Sequence, residues 1–266
     1  MHFSPINYSD PDFDRCDLTK FLLLLVLNQD TFNYAIRHPV TQQLVCVSTE
    51  NSLSQLFGQN ENSEVLGESY QKIIVAAETK SFCLIPDAVF THENLPDFAA
   101  FLSVKEADLV LTDQIQTREN TVIFTFPEDL VRKIAAKYPS AKIQFAPKSW
   151  IKTIFDARLS GQNLYLFLEE NSLQILFSAQ ENIRFYNRFD CTTADEVVYF
   201  TALVADQLNL KPEETNLFLC GRIEAGSGPM LLLQGFFKDV SLFSTSGFLQ
   251  KDVLQQHQIV QFLGLS

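Results

Sequence analysis

The chain is short of most features that announce chemistry. Its longest uninterrupted apolar run, Phe21 to Leu27, is seven residues, where a bilayer-spanning helix needs about 20. Basic residues are outnumbered, 20 against 32 acidic, for a net charge of −12. The Lys and Arg are scattered singly and offer no cluster to a phosphate backbone or an anionic lipid surface. This excludes nucleic acid and membrane as expected partners. Histidine is represented only by His2, His38, His92 and His257, and none has a His or Cys neighbour at zinc-ligand spacing. No serine sits in a nucleophile elbow and no cysteine has a local histidine. The five cysteines (Cys16, Cys46, Cys83, Cys191, Cys220) are odd in number and far apart. Three lie in apolar stretches, which suits reduced thiols in the cytoplasm.

Phe21–Leu27 has the apolarity of a signal-peptide core. However, Asp10, Asp12, Asp14 and Asp17 precede it where positive charge is expected, and no small-residue cleavage site follows. A buried strand is the expectation. Asp10, Asp12 and Asp14 also open like a calcium loop, but Arg15 replaces the glycine at the sixth position and Phe21 the glutamate at the twelfth. A solvated acidic arm over residues 1–17 is expected.

With 266 residues, 46% hydrophobic and 24 Phe against one Trp, the chain has material for one large core or two smaller ones. After Phe21–Leu27 come the polar break Asn28-Gln29-Asp30 and the alternating Phe32, Tyr34 and Ile36, read as a buried strand, a tight turn and a half-exposed strand. A third strand is expected at Leu44–Val47 and a helical turn at Ser52–Phe57. The order returns 141 residues later: Leu164–Leu168, the turn Glu169-Glu170-Asn171, then Leu173, Ile175 and Phe177, with Ile183–Phe189 as third strand. Leu27 then falls on Leu168.

Further along, Val122–Phe126 is read as a strand, with Pro127 starting a helix that carries Leu130, Val131, Ile134 and Ala135 on one face, and Ala141–Phe145 as a strand. These are matched to Leu217–Cys220, the apolar Met230–Phe237 and Val240–Phe243. Thr193 with Glu196 spells a capping box. Ile73–Ala77 and Phe82–Ile85 read as a hairpin, and Leu95–Leu102 as a helix, inside an insertion near 65–115. The expected class is α/β: two tandem actin-like (ribonuclease H-like) halves, 18–160 and 161–266, each three antiparallel strands followed by helix, strand, helix, strand. The apolar positions Val253, Leu254, Val260 and Leu263 make Lys251–Leu265 an amphipathic helix. It either packs on its own half or is offered to a protein partner or a second copy.

The stretches TVIFTFPEDLVRKIAAKYPSAKI, NLYLFLEENSLQILF and FDCTTADEVVYFTALVADQLNLKPEETNLFLCGRIE carry more than periodicity. From about residue 18 to about 245 the chain resembles a bacterial domain-of-unknown-function family described as having an actin-like ATPase fold. That resemblance implies a fold and no established activity. Active actin-like proteins bind ATP between the halves through two Asp-x-Gly hairpin turns, where glycine lets backbone N–H groups close on phosphate. The corresponding turns here, Asn28-Gln29-Asp30 and Glu169-Glu170-Asn171, contain no glycine. Gly221, Gly226 and Gly228 fall where an adenosine turn would lie, interrupted by Arg222, Ile223 and Glu224.

Two functions follow. One is a non-catalytic binding or assembly module that uses no cofactor. The other is a divergent Mg-ATP-dependent enzyme, an ATPase or phosphotransferase working in the cleft between the halves. In it Asp30, Glu169 and Glu170 would hold magnesium and Gly221 would lie near adenosine.

Overall fold

The structure is a computed structural model and describes residues 4–58, 65–67, 69–115, 120–179, 182–245 and 254–266. The chain forms two compact units, one made of Pro5–Trp150 with Gly264–Ser266, the other chiefly of Ile151–Leu263. We call them the N-terminal and C-terminal units.

In the N-terminal unit the strands β1 (Asn7–Ser9), β2 (Leu22–Leu27), β3 (Thr31–Arg37), β4 (Leu44–Ser52), β5 (Lys72–Ala77) and β9 (Ile143–Phe145) make one sheet, in the order β1-β4-β3-β2-β5-β9. β2 runs antiparallel to β3 and parallel to β5, so it lies inside the sheet. Its unbroken apolar sequence is what a strand buried on both faces requires.

β3 departs from the expected half-exposed strand: every residue from Phe32 to Arg37 is buried. Its polar members are tolerated because they are bonded. Asn33 accepts a hydrogen bond from the Glu50 N–H (2.8 Å), and Arg37 donates to the Leu265 carbonyl. The expected acidic arm contributes β1, which pairs with β4.

The hairpin expected from Ile73–Ala77 and Phe82–Ile85 does not form. β5 pairs with β2 and β9 in the main sheet, whereas β6 (Phe82–Pro86) pairs with β8 (Asn120–Pro127) in a separate three-stranded sheet of order β6-β8-β7, with β7 at Asp108–Ile115. The strand following the first hairpin in the main sheet is therefore β5, and Val122–Phe126 is not the counterpart of Leu217–Cys220. Phe145 of β9 meets Phe82 and Phe124 of the small sheet at 5.3 and 5.4 Å between ring centroids. Asp113 accepts from the Phe145 N–H (3.0 Å) and pairs with Lys148 (2.7 Å).

Helix α1 (Leu53–Phe57) follows β4, and α2 (Leu95–Ala99) is shorter than expected. α3 (Glu128–Lys137) starts after Pro127, with Glu128 and Asp129 in its first turn and Lys137 in its last, the charge order its dipole favours. Leu130 and Ile134 face inward, while Val131 is only partly buried and Ala135 is exposed. α4 (Pro147–Ala157) carries the chain from one unit into the other.

The C-terminal unit has one sheet of order β12-β11-β10-β13-β14, from β10 (Gln162–Leu168), β11 (Ser172–Ala179), β12 (Asn182–Asp190), β13 (Thr215–Gly221) and β14 (Asp239–Leu242). β10 is antiparallel to β11 and parallel to β13. Leu164, Leu166 and Leu168 form a core with Val197, Val204 and Ala205 of α5 (Ala194–Gln207) and Leu233 of α6 (Gly228–Gln234). The expected capping box opens α5: the Thr193 hydroxyl accepts from the Glu196 N–H, and the Glu196 carboxylate accepts from the Thr193 N–H. The backbone N–H groups of Thr192 and Thr193, with the Thr192 hydroxyl, hold the Glu196 carboxyl below its ordinary range. α7 (Gln256–Leu263) packs on β13 of its own unit. Val253, expected on this helix, lies outside the described residues.

Candidate functional site

The turns singled out from sequence close two hairpins of the same form. In the first, the Asn28 N–H bonds the Thr31 carbonyl at 2.8 Å, leaving Gln29 and Asp30 as the exposed loop. In the second, the Glu169 N–H bonds the Ser172 carbonyl at 2.9 Å, leaving Glu170 and Asn171. Each sits beside the end of a parallel strand. The Glu78 N–H bonds the Leu27 carbonyl (2.7 Å) after β5, and the Arg222 N–H bonds the Leu168 carbonyl (2.8 Å) after β13. Asp30 belongs to the first group; Glu169, Glu170 and Gly221 are brought together in the second.

Their side chains meet different surroundings. The Glu169 carboxylate accepts the Ser172 hydroxyl at 2.8 Å and pairs with the Arg188 guanidinium at 3.0 Å. The Glu169 and Arg188 side chains keep 19% and 11% of their exposure, so the pair is largely shielded from water. Sequence reading missed both partners. Ser172 is three residues away, but Arg188 reaches the turn through strand register: β12 places it opposite Gln174 of β11. No spacing rule in the sequence marks that contact.

Gly221 ends β13 at φ +84°, opposite Leu168. A Cβ there would stand 2.2 Å from the Leu168 carbonyl oxygen. This position admits only glycine, because two backbones touch where the strand leaves the sheet. Beyond it, the Ile223 carbonyl lies 2.8 Å from Nε2 of the buried His257 on α7. Burial pulls the His257 pKa below its ordinary value, opposed in part by that hydrogen bond and by Glu224. Gly226 has φ +74° with open space around the missing Cβ, and Gly228 opens α6 without a close neighbour. Among the described residues no group of three or more His, Cys, Asp or Glu side chains converges to hold a metal. No helix among them is long and apolar enough to cross a membrane.

A family model for proteins of unknown function, DUF3822, matches residues 10–240. The chain belongs to that family. Comparison with curated proteins finds no match. Among solved structures, the fold is similar to a Bacteroides thetaiotaomicron protein described as having an actin-like ATPase fold and unknown function. That likeness has a TM-score of 0.77 at 19% identity, over 87% of this chain and 93% of that one. It is also similar to the PilM–PilN type IV pilus biogenesis complex, with a TM-score of 0.57, 10% identity, and 95% and 96% of the chains covered. A third likeness is to the cytoplasmic domain of EpsL, an inner-membrane component of the type II secretion system of Vibrio cholerae. There the TM-score is 0.50 at 12% identity, over 91% of this chain and 92% of that one. The DUF3822 chain is thus a mixed α/β protein with actin-like neighbours.

Proposed function

We propose that this DUF3822 protein is a non-catalytic binding or assembly module whose nucleotide turns have been closed by its own side chains. The commitment of Glu169 to Arg188 and Ser172 carries the reading. Both contacts go to Glu169 Oε2, and the guanidinium offsets the negative charge that a metal beside phosphates would draw on. Gln29 and Glu170 further place side chains where phosphate-binding turns rely on bare backbone. Magnesium and ATP do not fit this donor set.

We further infer that the two units descend from one duplicated unit. The equivalent closing bonds of the hairpins and the equivalent bonds from Glu78 and Arg222 support it. So does the shared arrangement of three antiparallel strands with a fourth parallel to the first. The partner in this reading is a protein, because net charge −12 opposes nucleic acid. PilM–PilN and EpsL are described as parts of pilus-biogenesis and secretion machinery, and their shared fold is what suggests assembly over catalysis. The five free thiols, three of them buried, support a reducing cytoplasm.

The competing reading, a Mg-ATP-dependent enzyme, draws on Gly221, which keeps glycine where the backbone closes after β13. A thermal shift with excess Mg–ATP separates them. The module shows no shift. A ligand of micromolar affinity at a thousandfold excess would add about 4 kcal/mol of stability, and that result would replace this reading with the enzyme.

A further inference from the structure

The chain passes from the N-terminal unit to the C-terminal unit inside α4 at Trp150–Ile151, and returns directly after α7 at Leu263–Gly264. Gly264–Ser266 group with the N-terminal unit, which holds them through side chains of β3 and β9. Arg37, at the end of β3 and 4% exposed, donates its guanidinium Nη2 to the Leu265 carbonyl. Gln144 of β9 donates its side-chain amide to the Ser266 carbonyl at 3.0 Å. The Leu265 side chain is 2% exposed.

A buried arginine is costly to desolvate and is usually held by a carboxylate. Here one of its hydrogen bonds goes to a main-chain carbonyl, which reads the path of a peptide and not its side-chain charge. With the Gln144 amide on the next main-chain oxygen and the leucine side chain that precedes both buried, the groups make a short peptide receptor.

We propose that Gly264–Ser266 is a ligand of the N-terminal unit, a clasp recognised in cis by Arg37, Gln144 and the site that buries Leu265. The chemistry recognised is one buried leucine side chain followed by two successive main-chain oxygens. The inference is independent of the nucleotide reading above, since none of its groups belongs to either hairpin turn.

Two measurements test it. Carboxypeptidase digestion followed by mass spectrometry should find Leu265 and Ser266 resistant in the unsubstituted chain. They should be released at least about tenfold faster from Arg37→Gln and from Leu265→Ala, the loss expected for one charge-assisted hydrogen bond or one buried leucine contact. Release from the unsubstituted chain at the variants' rate would overturn the clasp.

The second uses a chain ending at Leu263, shown folded by circular dichroism, titrated with a synthetic peptide of residues 262–266. Saturable binding is expected, and it should be lost when the peptide's leucine at position 265 is changed to aspartate or when Arg37→Gln is added. A folded truncated chain that ignores the peptide would equally overturn it. Should that chain not fold, the digestion of Leu265→Ala in the full chain decides alone.

Discussion

In the N-terminal unit the turn from β2 to β3 passes through Gln29 and Asp30, both exposed, and β5 ends beside it at Ala77, opposite Leu27. In the C-terminal unit the turn from β10 to β11 is flanked by Glu169, which is tied to Arg188 and Ser172, and β13 ends at Gly221, pressed against Leu168. The hydrogen bonds that close the two hairpins are alike; the side chains around them are not. The same backbone geometry at a strand end thus accommodates very different side chains. One turn is left in solvent, while the other is locked by an internal ion pair and a glycine contact.

The largest effect expected from this contrast is at the strand ends. Gly221→Ala forces a Cβ into the Leu168 carbonyl at a positive φ and should cost more than about 4 kcal/mol in urea unfolding, beyond an ordinary substitution. The mirror change, Ala77→Gly, has no such clash to relieve and should cost about 1 kcal/mol from backbone entropy and one lost methyl. Equal costs would erase the difference between the two ends.

Next come the leucines before the turns. Leu27 and Leu168 are 1% and 0% exposed, so Leu→Ala at either should cost about 2–5 kcal/mol from lost transfer energy and the cavity left behind. A neutral Leu168→Ala would undo the alignment that pairs the two hairpins. The smallest effect belongs to the exposed first turn: Asp30→Ala should stay within about 0.5 kcal/mol, measured in the same way.

A pH effect between neutral and mildly acidic pH is expected from His257 in the C-terminal unit. The folded pKa of His257 lies below its unfolded value. Its contribution is therefore fully present above the unfolded value of about 6.5 and is lost as pH falls through that value toward the folded one. His257→Gln should flatten this slope in unfolding curves between neutral and mildly acidic pH. An unchanged slope would mean that His257 does not titrate differently on folding.

Much of this was legible locally. The run at Phe21–Leu27 and its counterpart at Leu164–Leu168 marked the doubly buried strands, because parallel neighbours demand apolar residues on both faces. Thr193 and Glu196 marked the start of α5, because a capping box is complete within four residues. What failed was non-local. Ile73–Ala77 and Phe82–Ile85 are near in sequence, yet each prefers a distant partner, β2 and β8 respectively. The polar residues of β3 read as solvent-facing because their partners, Glu50 and Leu265, are set by tertiary placement. The same limit hid Arg188. A strand register, and no motif, delivers its charge to Glu169.

That pair is where the account can be tested most directly. A double-mutant cycle on Glu169→Gln and Arg188→Met, followed by urea unfolding with and without magnesium and ATP, measures whether the turn is committed to its own guanidinium. The account predicts a coupling of at least about 1 kcal/mol for this shielded pair, with no dependence on magnesium or ATP in the unsubstituted protein. A coupling near zero, together with stabilisation of the unsubstituted protein by Mg–ATP, would contradict it.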